Sequence, residues 1–209
     1  MGAADRAIGQ ILEAVERLGA RDRTAFILTG DHGSASVHTQ IRPNVWLAEA
    51  GLMEARPNRG SWRATFFASG GSAFLRLRDR ADRAAVLEAR QVIEELPGGI
   101  RRLVRIIERA ELDQLGADPD AELALSAVPG VEIGEEPFSP AIRAKVGAAH
   151  GYLPDEKPML TGFVASGAGV RKGLGVPLLP IETIAPLVAS LLRIELVAPD
   201  GVVFPGLLT

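Results

Sequence analysis

Residues 24–33 read Thr24-Ala25-Phe26-Ile27-Leu28-Thr29-Gly30-Asp31-His32-Gly33. The first six form a continuous apolar run. Such a run suits a strand buried on both faces, as in a parallel sheet, where neither face has to meet water. It gives way at once to Gly30, Asp31, His32 and Gly33, so polar groups gather at the strand's C-terminal end. In open α/β sheets that end is where ligands bind.

Upstream, residues 3–18 carry Ile8, Ile11, Leu12, Val15 and Leu18 at helical spacing, and Gly19 is a natural stop. Downstream, residues 43–51 predict a short helix with Pro43 in its first turn and Gly51 at its end. The opening pattern returns late in the chain. Residues 160–166 predict another buried strand running into Gly167 and Gly169, and residues 181–192 a core helix with Pro186 near its start. The middle differs in character. Residues 63–69 and 73–77 predict a strand pair around Gly70-Gly71. Residues 81–96 predict an amphipathic helix with Val86, Ala89, Ile93 and Leu96 on one face, stopped by Pro97-Gly98-Gly99. Residues 103–108 and 122–128 read as further strands with a short helix between them. That order describes a small α+β insertion with a sheet of its own. The expected architecture is therefore an α/β layered core from residues 1–60 and 131–209, interrupted by a cap at 61–130.

Composition narrows the classes. A chain of 209 residues is long enough for one generous domain carrying a small insertion. With 47% hydrophobic and 23% charged residues it is neither disordered nor collagen-like. The formal charge of −3 argues against a nucleic-acid polymer as partner. The absence of cysteine excludes disulfides, thiolate metal sites and cysteine nucleophiles. The most apolar stretch, residues 176–192, is broken by Glu182, Pro177, Pro180 and Pro186, so no membrane span is expected. Asp5 and Arg6 stand where a signal peptide needs an apolar run.

The chain has only three histidines: His32, His38 and His150. Asp31 offers a hard carboxylate oxygen and His32 an imidazole nitrogen, a donor set that suits zinc or a similar divalent ion. Adjacent residues on a regular strand point to opposite faces, so both reach one ion only where the strand breaks, and Gly30 and Gly33 supply that freedom. The other reading is a polar turn with an Asp cap. His150, followed by Gly151, reads first as a hydrogen-bonded structural residue beside a turn and second as a ligand. His38 reads as structural. Ser34 and Ser36 invite a Ser-His-Asp triad, but there is no G-x-S-x-G elbow and the spacing gives poor geometry. The loop from Gly167 to Gly173 has the spacing of neither phosphate-binding glycine motif and reads as a turn. The arginines at 76, 78, 80, 83, 101, 102 and 105 are interleaved with acids and lack aromatic neighbours, which describes an ion-paired, solvated surface.

Taken in order, these pieces resemble the C-terminal half of the type I phosphodiesterase / nucleotide pyrophosphatase family within the alkaline phosphatase superfamily. The resembling elements are Asp5-Arg-Ala-Ile-Gly9, Phe26 to Gly33, Arg42-Pro-Asn-Val45 with Leu47-Ala-Glu-Ala-Gly-Leu52, His150-Gly-Tyr152, Met159, Phe163 to Gly167, and Ile184-Ala-Pro186 with Leu191-Leu192. The resemblance implies an alkaline-phosphatase-like, mainly parallel sheet that is incomplete here, and a two-zinc site hydrolysing phosphoester or phosphoanhydride bonds. It implies Asp31 and His32 as ligands of one metal and His150 as a ligand of the other. Manganese or iron would suit the same donors. The family's Thr or Ser nucleophile and its remaining ligands have no counterpart in this sequence, which looks like a member without its first half. The chain alone is then expected to be inactive towards its nucleotide or phosphoester substrate, and to associate with the missing half or with itself. Two further readings differ in class. One is a non-catalytic α/β remnant acting as a binding or assembly module; the other is a hydrolase built on Ser34 or Ser36.

Overall fold

The computed structural model describes residues 2–56, 60–138 and 140–209. Residues 57–59, at the end of the first core segment expected from sequence, lie outside the described residues. In chain order the first elements are α1 (Gly2–Arg17), β1 (Ala25–Thr29), β2 (Ala35–Ile41), α2 (Pro43–Glu49), β3 (Ala64–Ala68), β4 (Ser72–Leu77) and α3 (Arg83–Glu94). There follow α4 (Gly98–Arg101), β5 (Val104–Glu108), α5 (Arg109–Gln114), β6 (Leu123–Ala127), β7 (Val131–Ile133), β8 (Ile142–Ala149), β9 (Phe163–Gly167) and α6 (Ile184–Leu192). The chain divides into two units, Met1–Asp31 with Thr161–Thr209, and His32–Leu160.

In the first unit, α1 ends as its sequence predicts. Gly19 takes φ +59°, its amide donates to the Glu16 carbonyl at 2.9 Å, and the Ala20 amide donates to the Val15 carbonyl at 3.1 Å. This closes the orphan carbonyls of the last turn in a Schellman arrangement that only a residue free of Cβ adopts without strain. β1 pairs with β9 in antiparallel register, Phe26 opposite Ser166 and Thr29 opposite Phe163. Here the structure corrects the sequence reading: the apolar run is not a doubly buried strand of a parallel sheet. It has one antiparallel neighbour among the described residues, and each of its residues stays partly accessible or exposed. Gly167 (φ +104°) turns the chain away from β9 where a Cβ would overlap the Thr24 carbonyl. The C-terminal residues then close back on this loop, with the Arg171 amide donating to Leu207 at 2.9 Å and Thr209 to Gly169 at 3.1 Å.

Among its described residues the second unit holds two sheets. The smaller has the order β7-β2-β8, with β2 parallel to β7 and antiparallel to β8. Its register slips at His38: Val37 faces Gly147 but Thr39 faces Ala144. The larger is wholly antiparallel, in the order β3-β4-β6-β5. Its strands and α3 fall where the sequence predicts the cap's elements. Asp82 caps α3 by accepting from the Ala85 amide at 3.0 Å, and the helix ends before Pro97. One core cluster joins both sheets to α2 and α3 through Ile41, Leu47, Phe66, Leu75, Ile93, Leu125 and Ile133. Asn44, fully buried on α2, ties the unit together. Its Nδ2 donates to the Phe66 and Glu135 carbonyls at 2.8 Å each, and its Oδ1 accepts from the Phe66 amide at 2.8 Å.

Candidate functional site

His32 stands just beyond β1, at the start of the second unit, in a loop whose path is fixed by Gly33. The Gly33 amide donates to the Met159 carbonyl at 2.9 Å. A Cβ there would overlap the Pro158 carbonyl and stand 2.6 Å from that of Leu160, so only glycine fits between this loop and residues 158–160. His32 Nδ1 lies 2.8 Å from the Gly33 carbonyl oxygen. That oxygen can only accept, so Nδ1 carries the proton and Nε2 is the nitrogen suited to a metal.

His150 follows β8 directly. Gly151 (φ +73°) turns the chain, and Tyr152 is buried with its hydroxyl donating to the Val131 carbonyl at 2.7 Å. Burial, followed by the nearby Glu132 carboxylate, pushes the Tyr152 phenol above the ordinary tyrosine range. The topology brings the two histidines together across more than a hundred residues of sequence. Their rings stack with centroids 4.3 Å apart and planes 18° from parallel. Both side chains are exposed, as is Asp31, the last residue of the first unit. Among the described residues no group of three or more histidine, aspartate or glutamate side chains is poised around a single ion.

His38 sits at the register slip of β2. Its Nδ1 lies 2.9 Å from Thr39 Oγ1, and its ring covers Gly130, where a Cβ would stand 2.6 Å from Nε2. Both contacts are to its own neighbourhood in the second unit, the next residue and the turn at Gly130. Of the arginines singled out in the sequence, Arg76, Arg80, Arg83 and Arg105 are ion-paired. Arg63 donates to Asp82 at 2.8 and 3.0 Å and to Glu88 at 2.9 Å, and Arg105 holds Glu111 through two bonds of 2.9 and 2.8 Å. Arg76 pairs with Asp118. The Arg63 guanidinium holds the Asp82 carboxyl below its ordinary range, with help from the Ala85 amide, and Arg105 does the same to Glu111.

Of the glycines that fit the backbone around the two histidines, sequence reading passed over two. Gly70 and Gly71 read only as a hairpin turn, and their tertiary neighbours carry no local signal.

The profile of the type I phosphodiesterase / nucleotide pyrophosphatase family matches residues 1–124. The chain belongs to that family. No curated protein matches it significantly in sequence. Its fold is that of human ectonucleotide pyrophosphatase / phosphodiesterase 5, at TM-score 0.73 and 14% identity, over 96% of this chain and 49% of that one. The murine protein of the same name matches at TM-score 0.71 and 16% identity, over 99% and 51%. An inactive form of the murine protein in complex with AMP matches equally well. The α/β, alkaline-phosphatase-like fold class expected from sequence is thus present, and the chain spans about half the length of these structures.

Proposed function

We propose that this chain is the C-terminal part of a metal-dependent phosphodiesterase or nucleotide pyrophosphatase. Asp31 and His32 hold one divalent ion and His150 the other. The observation that carries this reading is the stacked pair of imidazoles, each on a glycine-fitted loop, in a member of this family. The donor chemistry fits: His32 presents Nε2 with its tautomer set by the Gly33 carbonyl, and Asp31 adds a carboxylate oxygen. Zinc is the metal the family resemblance favours; manganese or iron suits the same donors. When bound, such ions polarise the phosphoryl group and stabilise the attacking and leaving oxygens. The nucleophile and the remaining ligands belong to a part of the fold outside these residues. The four-stranded sheet is the cap of residues 61–130, set into a core of residues 1–60 and 131–209. The substrate is a nucleotide or related phosphoester, in keeping with AMP on the murine neighbour.

A second reading, an assembly or binding module, is favoured by the first unit's surface. Leu18, Val197 and Val202 are each more than three-quarters exposed, and among the described residues none of α1 is buried and β1 and β9 have one strand neighbour each. The occupant is either a chain carrying the other half of the fold or a second copy.

The test is AMP binding to the purified chain with zinc and with EDTA. Metal-dependent binding that His32→Ala abolishes is expected, and binding indifferent to metal overturns the reading. Metal-dependent hydrolysis of the p-nitrophenyl ester of thymidine monophosphate by this chain alone, lost in His32→Ala, would overturn the placing of the nucleophile elsewhere.

A further inference from the structure

The turn between β3 and β4 does more than reverse the chain. It bonds on three sides. The Gly71 amide donates to the His150 carbonyl at 2.7 Å, the Gly70 carbonyl accepts from the Ile133 amide at 2.6 Å, and the Gly71 carbonyl accepts from the Ala127 amide at 2.8 Å. The Ser69 amide closes the turn on the Ser72 carbonyl at 2.8 Å. One tetrapeptide thus joins β7 of the three-stranded sheet, β6 of the four-stranded sheet, and the main chain of His150.

The packing is as tight as the hydrogen bonding. Gly70 has φ +72°, and a Cβ there would overlap the His150 carbonyl oxygen. A Cβ on Gly71 would run into the face of the Tyr152 ring, and one on Gly151 (φ +73°) into the Ser69 carbonyl. Three glycines on two segments therefore touch backbone to backbone, with Tyr152 laid flat over Gly71. The same segment is held at its other end, where Met159 accepts from the Gly33 amide next to His32. The stretch 150–160 is thus anchored at one end by the cap hairpin and at the other by the His32 loop.

We propose that residues 69–71 of the cap hairpin are the positioning element for His150, so that cap folding and metal binding are coupled through the Gly71–His150 hydrogen bond. The inference rests on His150 being a metal ligand. Reciprocity follows from linkage: if the turn fixes His150 for the ion, the ion must in turn stabilise the turn. The bond is to the main chain of His150, so the turn acts on the imidazole through the backbone that carries it.

The experiment uses the full chain and zinc alone. Zinc affinity is measured for the wild type, His150→Ala, Gly71→Ala and, as a control in open space, Gly147→Ala. The expected result is a loss of zinc affinity in both variants, about 10-fold or more in His150→Ala and smaller in Gly71→Ala, with Gly147→Ala like the wild type. In the metal-free chain, Gly71→Ala should shift the side-chain NMR signals of His150, which report its stack on His32, and leave those of His38 alone. A second measurement avoids any folding defect of the variant. Zinc added to the wild type should slow hydrogen exchange of the Gly71 amide and leave that of the Ala85 amide unchanged. Loss of affinity in His150→Ala without loss in Gly71→Ala, or unaltered Gly71 exchange, overturns the positioning role and leaves the metal site standing. Equal zinc affinity in the wild type and His150→Ala overturns the metal reading and this inference with it.

Discussion

Replacing Asn44 by Ala should destabilise the second unit by about 4 kcal/mol. The side chain is fully buried and makes three bonds of 2.8 Å to main-chain groups of two other segments, at Phe66 and Glu135. A buried hydrogen bond is worth about 1–1.5 kcal/mol, and the groups left behind have no water to turn to. Three such bonds give the figure, which corresponds to a drop of about 10 °C or more in melting temperature for a unit of this size. Urea denaturation followed by circular dichroism reads it directly. Asn44→Asp sharpens the test. The introduced carboxylate still accepts from the Phe66 amide, but it faces two carbonyl oxygens that need a donor. Protonation restores one donor, so the folded state raises the pKa of the introduced group. The deficit relative to the wild type should then shrink as pH falls through the carboxylate range. A loss below about 1 kcal/mol for Asn44→Ala would mean that these bonds add little, and would refute the view of Asn44 as the tie between α2, β3 and the segment around Glu135.

Gly33→Ala should destabilise the second unit by about 2–3 kcal/mol, since the new Cβ meets two backbone oxygens and breaks the bond to Met159; chemical denaturation measures it. Tyr152→Phe should cost about 1–2 kcal/mol by stranding the buried Val131 carbonyl. Tyr152 is the chain's single tyrosine, so ultraviolet titration of the folded wild type should show tyrosinate appearing above the ordinary range. The depressed pKa of Asp82 means that its contribution is complete above the ordinary aspartate value and is lost as pH falls through the lower folded value. Arg63→Ala should therefore make denaturation midpoints less sensitive to acidification over that window.

Much of this fold is legible in the sequence, and the exceptions have physical causes. The strands of the four-stranded sheet and α3 declare themselves through local pattern: β4 alternates cleanly, β6 is an apolar run buried throughout, and a capped helical stripe runs from Asp82 onward. β1 was legible as a strand but not in its pairing, since an apolar run says that both faces favour burial and nothing about the direction of the neighbour. β2 and β8 were not legible. β2 does bury one face through Ala35, Val37 and Ile41, but its Ser36, His38, Thr39 and Gln40 give the stretch a polar reading, and β8 is an edge strand whose Arg143, Lys145 and nearly bare Val146 carry no apolar face. They form because each completes the other's ladder. Asp31, His32 and His150 could be singled out because histidine is scarce and two of the three precede a glycine. That the two rings stack is a product of topology, and so is the fit of Gly70 and Gly71 against His150.

The most direct test of the account is a calorimetric zinc titration of the full chain beside His32→Ala, His150→Ala and His38→Ala. The account predicts that the first two variants lose affinity by about 10-fold or more and that His38→Ala binds as the wild type does. Equal affinity in all four chains would contradict it.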